Sequence, residues 1–136
     1  MTEPRDLALE VLYEVDQREV ASVTVDLPPK PARLVEGVLA HKAELDAAID
    51  AASEHWRLAR MPVVDRAILR LGLYELRYEH ETPAAVVISE AVRLAKTYST
   101  EKSGAFVNGV LAALALHERG SAGEPASGEG SGELLG

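Results

Sequence analysis

Apolar residues recur along this chain at helical spacing, one segment after another. Leu7, Ala8, Val11, Leu12 and Val15 form a single stripe over residues 4–18. Thr2 is placed to cap that helix, and Pro4 falls in its first turn, where a missing N–H is harmless. Pro31 opens a second helix carrying Leu34, Val35, Val38 and Leu39. A further stripe, Leu45, Ala48, Ile49 and Ala52, follows His41-Lys42, either as a new helix or past a bend. Trp56 is expected to pack where this pair meets the next element. From Pro62, Val64, Ala67, Ile68, Leu71 and Tyr74 face inward, and Leu69, Leu73 and Leu76 make the segment apolar nearly all round. That pattern predicts the central helix. Thr82-Pro83 reads as a cap followed by proline and leads into Ile88, Ala91, Val92, Ala95 and Tyr98.

Two stretches depart from the helical pattern. In VASVTVDLPPKP, residues 20–31, Val23, Val25 and Leu27 alternate as in a strand. No partner strand is evident and three prolines follow, so an extended connection laid against the body is expected. In FVNGVL, residues 106–111, Asn108-Gly109 is a strong signal for a two-residue β-hairpin. Yet Val107, Val110, Leu111 and Leu114 keep helical spacing through the dipeptide, and the residues beyond it are rich in alanine and leucine. The run stops at Arg119-Gly120, a basic residue and then glycine, as helices do. Asn-Gly is therefore placed inside a helix. Glycine there costs about 1 kcal/mol relative to alanine, which asks for a reason: either a neighbouring helix approaches closely, or Asn108 stands exposed beside a ligand.

The 136 residues suit one domain with a substantial core. Residues 1–119 hold four glycines, too few for an all-β chain, and form the expected helical domain. From Gly120 the chain reads GSAGEPASGEGSGELLG, with six of the ten glycines and three glutamates. Such a segment buries too little surface to offset its ordering entropy, so residues 120–136 are expected to be a disordered tail. The absence of cysteine suits a reducing compartment. With no signal-peptide pattern and no run of ~20 apolar residues, a cytoplasmic protein with no membrane partner is expected.

The net charge of −8 argues against a protein that coats nucleic acid non-specifically. Without the tail's three glutamates, 14 bases face 19 acids, or −5. A local basic group remains: Arg57, Arg60, Arg66 and Arg70 lie between Trp56 and Arg70 with only Asp65 among them. This group could contact nucleic acid or make intramolecular ion pairs. Catalytic signatures are missing. His41, His55, His80 and His117 are scattered, and no phosphate-binding loop, nucleophile elbow or dinucleotide fingerprint occurs. Carboxylates such as Glu75 and Glu79 are expected on solvated faces, with Arg77 near Glu81. No catalysis, metal or cofactor is expected, which leaves a binding module.

Three ordered motifs sharpen that class. VVDRAILRLGLYEL (63–76), TPAAVVISEAVRLAKTYSTEKSGAFVNGVL (82–111) and the N-terminal ALEVLY (8–13) resemble the NusB family of bacterial transcription antitermination factors. Leu34–Val38 and Ile49 fit the same pattern, so the resemblance covers residues 5–118. It implies an all-α fold of two packed three-helix sub-bundles. It also implies binding to the boxA sequence of nascent RNA, with a small-subunit ribosomal protein, NusE, as partner. The pair nucleates an antitermination complex on RNA polymerase during ribosomal RNA synthesis.

The resemblance also implies site residues. Family members often carry an arginine-rich segment before the first helix. Here Arg5 alone matches it, with Met1, Thr2, Glu3 and Pro4 in place of the rest. The isolated chain is therefore expected to bind RNA weakly and to depend on its ribosomal partner. STEKSGA, before FVNGVL, is the other RNA-facing region, with Lys102 where relatives often carry an acid. Phe106 is a candidate to stack on a base, or else a core residue; Asn108 to bond a base edge or phosphate, or else to serve a turn; Lys96 to meet RNA, or else to complement its helix dipole. Toward the protein partner the resemblance points to Tyr13, Asp65 and Glu90, with Ser89 departing from the usual asparagine. Two alternatives stay open. One is an RNA-docking domain like the N-terminal part of a ribosomal RNA cytosine methyltransferase family. The other is a helical oligomerisation module, since some family members form homodimers.

Overall fold

The computed structural model describes residues 3–18, 26–54 and 56–120. Helix α1 (Pro4–Arg18), α2 (Pro29–Ala40) and α3 (Lys42–Ala52) form one three-helix sub-bundle. Helix α4 (Val63–Tyr78), α5 (Ala84–Tyr98) and α6 (Glu101–Arg119) form the other. A single 3₁₀ turn, Leu58–Arg60, leads into α4. No strand occurs among the described residues. The expected cap at Thr2, most of the strand-like stretch and the tail beyond Gly120 lie outside them.

The apolar pattern explains the packing. Ala67–Leu69, Leu71, Leu73, Tyr74 and Leu76 are all buried, and α4 touches each of the other five helices. It is the shared wall of both sub-bundles, as its all-round apolar surface requires. His41 settles how the second and third stripes join. Its N–H donates to Gly37 and Val38 at the end of α2, while its carbonyl accepts from Leu45, so the two stripes are separate helices.

Helix starts differ slightly from expectation. α2 begins at Pro29 rather than Pro31, since proline is tolerated throughout a first turn whose N–H groups have no helical partner. Pro62 and Pro83 occupy the capping positions of α4 and α5, and Thr82 lies one residue earlier than a cap would. Its carbonyl instead accepts from Arg119 at 2.8 Å. The same guanidinium donates to the carbonyls of Leu76, Glu75 and Glu79, at 2.8, 3.1 and 3.2 Å, closing the end of α4.

The Asn-Gly dipeptide sits inside α6, and the hairpin rule does not hold here. The helix ends as expected, on Gly120 in the left-handed region at φ 70°. Close approach does not explain Gly109, because a Cβ there would meet nothing within 4 Å. Gly72 fills that role instead: a Cβ on it would lie 2.8 Å from Leu111 Cδ1, so it is what lets α6 seat on α4.

Two carboxylates expected in solvent are buried. Glu75 is 2% exposed and Glu79 7%, each held by an arginine from another helix. Arg77 bonds Glu118 and Glu44, at 2.7 and 3.0 Å, and not Glu81. Ion pairing of Arg66 and Arg70 is found, to Asp16 and Asp46 respectively, both at 2.7 Å. Among the described residues no helix is long and apolar enough to cross a membrane, and no His/Asp/Glu group could hold a metal ion.

Candidate nucleic-acid interface

Helix α6 starts on a built junction. Thr100 caps it, its hydroxyl accepting from the Ser103 N–H at 3.0 Å. The Ser103 hydroxyl donates to Asp65 Oδ2 at 2.8 Å, tying α6 to the first turn of α4. Asp65 is 1% exposed, and its Oδ1 has no hydrogen-bond partner among the described residues. The side chain expected to face a protein partner is thus buried between two helix starts, where an acid also suits the dipole of α4.

Helical geometry divides the candidate RNA residues. Lys102, Phe106, Gly109 and Ala113 run down one side of α6, while Asn108 lies roughly 160° around the helix from Phe106. Lys102 and Asn108 are exposed. Phe106 is half-buried against the core and meets Trp56 edge to face, with ring centroids 5.6 Å apart. Lys96 is exposed on the Asn108 flank. Its stem lies over Gly104, where a Cβ would come within 2.9 Å of Lys96 Cγ.

Arg5 is placed differently from a free phosphate ligand. Its side chain is 13% exposed and grips Glu75 through two hydrogen bonds of 2.8 Å. Glu90 lies 3.8 Å from Arg5 and also accepts from Arg93. Arg93 continues to Asp6 at 2.8 Å, and the Tyr98 hydroxyl donates to Asp6 at 2.7 Å. The resulting network stitches α1, α4 and α5 together. Hydrogen bonds from Arg93 hold the Asp6 carboxyl below its ordinary range, outweighing burial, with Tyr98 adding to the effect. The bond to Glu75 likewise raises the Arg5 guanidinium, so it stays charged.

Tyr13, one of the three candidate partner residues, lines an open cavity. Its volume is about 310 Å³, and Asp6, Leu9, Glu10, Val64 and Tyr98 complete the wall. Tyr13 is half-buried, and its hydroxyl accepts from Gln17 at 3.2 Å. Tyr98 was legible only as an inward position. It ends α5, so its ring emerges at 46% exposure while its hydroxyl reaches back to Asp6. Trp56, expected as a packing joint, is 44% exposed. Nothing in the periodicity marks it, because it lies between helices.

Residues 2–116 match the NusB family. The chain belongs to the NusB family. It is 45% identical to the transcription antitermination protein NusB of Acidothermus cellulolyticus, over 94% of this chain and 95% of the relative. Among solved structures, it is similar to NusB of T. maritima, with TM-score 0.72 and 35% identity over 84% of this chain and 91% of that one. It is equally similar, with TM-score 0.72 and 29% identity, to a chain in the crystal structure of antitermination factors NusB and NusE in complex with dsRNA. That match covers 84% of this chain and 94% of the other. The NusB family fold, two helical triplets sharing α4, is therefore what presents both the α6 face and the Tyr13 cavity.

Proposed function

We propose that this protein is a cytoplasmic transcription antitermination factor, without catalytic activity, that binds boxA RNA together with the ribosomal protein NusE. Through that pair it supports ribosomal RNA transcription by RNA polymerase. The observation that carries this reading is the likeness, over 84% of this chain and 94% of the other, to a chain in the crystal structure of NusB and NusE in complex with dsRNA. Lys102 and Phe106 on one side of α6 form the main RNA-facing group, Asn108 and Lys96 offer a second contact on the opposite flank, and the Tyr13 cavity receives the protein partner. Glu90 and Asp65 act on that contact through the ion pairs and hydrogen bonds that set α1, α4 and α6. Arg5 serves by holding Glu75 and so fixes the start of α1.

With a net charge of −8 and Arg5 occupied, the isolated chain binds RNA weakly and gains affinity from its partner. The test is capture of NusE on the immobilised protein, with and without a boxA oligonucleotide. Retention of NusE, strengthened by boxA RNA but not by a scrambled sequence, is the expected result. No retention under either condition overturns the proposal. Tight boxA binding by the protein alone overturns the dependence on the partner.

A further inference from the structure

The segment between α3 and α4 carries an aromatic and two cations that the fold leaves unused. Trp56 presents nearly half of its surface to solvent, although it is among the largest apolar side chains of the molecule. Arg57 and Arg60 are exposed, and neither makes an ion pair among the described residues, whereas Arg66 and Arg70 in α4 both do. The segment is held in place. The Ser53 hydroxyl donates to the Trp56 carbonyl at 2.6 Å, and the Leu58 N–H donates to Asp50 Oδ1 at 2.6 Å. Trp56 is therefore presented by a fixed backbone. Glu54 is the one acid within three residues of Trp56.

The indole does not stand alone. Its contact with Phe106 joins the segment to the side of α6 that bears Lys102 one turn earlier and Gly109 one turn later. Gly109 is a second, separate observation. A helix-interior glycine that no neighbour requires leaves the surface beside Phe106 open to close approach from outside. An aromatic pair flanked by three uncommitted cations is the chemistry of single-stranded nucleic-acid recognition, in which bases stack on rings and phosphates meet arginine or lysine.

We infer that Trp56, Arg57 and Arg60 form a stacking and phosphate-binding platform that extends the α6 RNA face, so that single-stranded RNA runs from Phe106 onto Trp56. This rests on the RNA-binding reading proposed above, and the experiment separates the two. Trp56 is the single tryptophan of the chain, so its emission reports on the platform directly. The full chain with NusE is titrated with a boxA oligonucleotide while tryptophan emission and filter retention are followed in parallel. The variants are Trp56→Ala, the fold-sparing Trp56→Phe, and Arg57→Ala with Arg60→Ala.

Saturation is expected to change the wild-type emission. Trp56→Ala should weaken binding about ten-fold or more, and Trp56→Phe should retain most of it. The double arginine variant should lower the slope of log K against log salt by about 1.4, two single-strand phosphate contacts. If the complex binds boxA RNA but emission and affinities do not move, the platform is overturned and the RNA-binding reading stands. If the wild type binds no RNA, both fall. If the variants lose NusE and keep RNA, the surface belongs to the protein partner and the platform is overturned.

Discussion

Two regions of this small protein use arginine in opposite ways. Where α1, α4 and α5 meet, Arg5, Arg93, Glu75, Glu90 and Asp6 satisfy one another, and the carboxylates are largely or partly out of solvent. Between α3 and α4, Arg57 and Arg60 stand in water beside an exposed tryptophan. The residue type is the same, but only the second region has charge to offer a phosphate. In a chain with net charge −8, what decides nucleic-acid binding is which cations the fold leaves uncommitted rather than how many there are.

The contrast can be broken most directly at Arg5. Arg5→Ala strands the Glu75 carboxylate, which is 2% exposed and takes its side-chain hydrogen bonds from Arg5. Removing one partner of a buried pair destabilises by about 3 kcal/mol, seen as a fall in thermal midpoint of roughly 10 °C. Arg57→Ala should leave the midpoint nearly unmoved, since exposed substitutions fall within about 0.5 kcal/mol of neutral. Equal shifts in the two variants would erase the distinction between the regions.

Arg119 tests whether the closed region extends to the end of α4. Its guanidinium serves four carbonyls, and Arg119→Ala leaves them to water or unpaired. A loss of about 2 kcal/mol is expected, and Arg119→Lys should recover only part of it, because an ammonium cannot reproduce the planar fork. Denaturant unfolding with an unchanged m-value measures it.

The helical stripes, the central helix and the interrupted hairpin rule were legible because a 3.6-residue period survives without tertiary information. The closed region was not. Glu75 finds Arg5 across 70 residues and Glu79 finds Arg33 across 46, and no local pattern shows which charged position of a helix will meet a distant arginine. Arg5 looked available for the same reason, and Trp56 was expected to pack where the α2–α3 pair meets the next element, although it lies between helices where no period places it. The exposure of Lys102 and Asn108 follows from the phase of α6 once the helix is accepted, whereas their part in binding RNA came from the family resemblance.

Acid sharpens the comparison further. Asp6 is held down chiefly by Arg93, Glu79 chiefly by Arg33, and at Asp16 burial works upward but Arg66 and Arg70 prevail. Each carboxyl is thus more acidic folded than unfolded. The stability this contributes is present above the ordinary carboxylate range and is lost as pH falls through the lowered folded values, because the unfolded chain takes up protons first. The thermal midpoint should drop between pH 6 and pH 3, and Asp6→Asn should flatten that drop while starting from a lower midpoint at pH 6. A slope unchanged in Asp6→Asn would mean that the α1–α5 bridge carries none of the acid sensitivity.

The smallest expected effect has the opposite sign. Gly109 lies in mid-helix with nothing within 4 Å of an added Cβ, so Gly109→Ala gains helix propensity without a clash and should stabilise the isolated protein by up to about 1 kcal/mol. Gly72→Ala should destabilise it, because Leu111 already occupies that space at 2.8 Å. An open helix-interior glycine also leaves room for close approach from outside. On the α6 face proposed for RNA, Gly109→Ala should therefore raise the thermal midpoint and weaken boxA binding in the presence of NusE. A variant that is more stable and binds RNA as well as wild type would detach Gly109 from the interface and confine the open region to Lys102, Phe106 and the Trp56 segment.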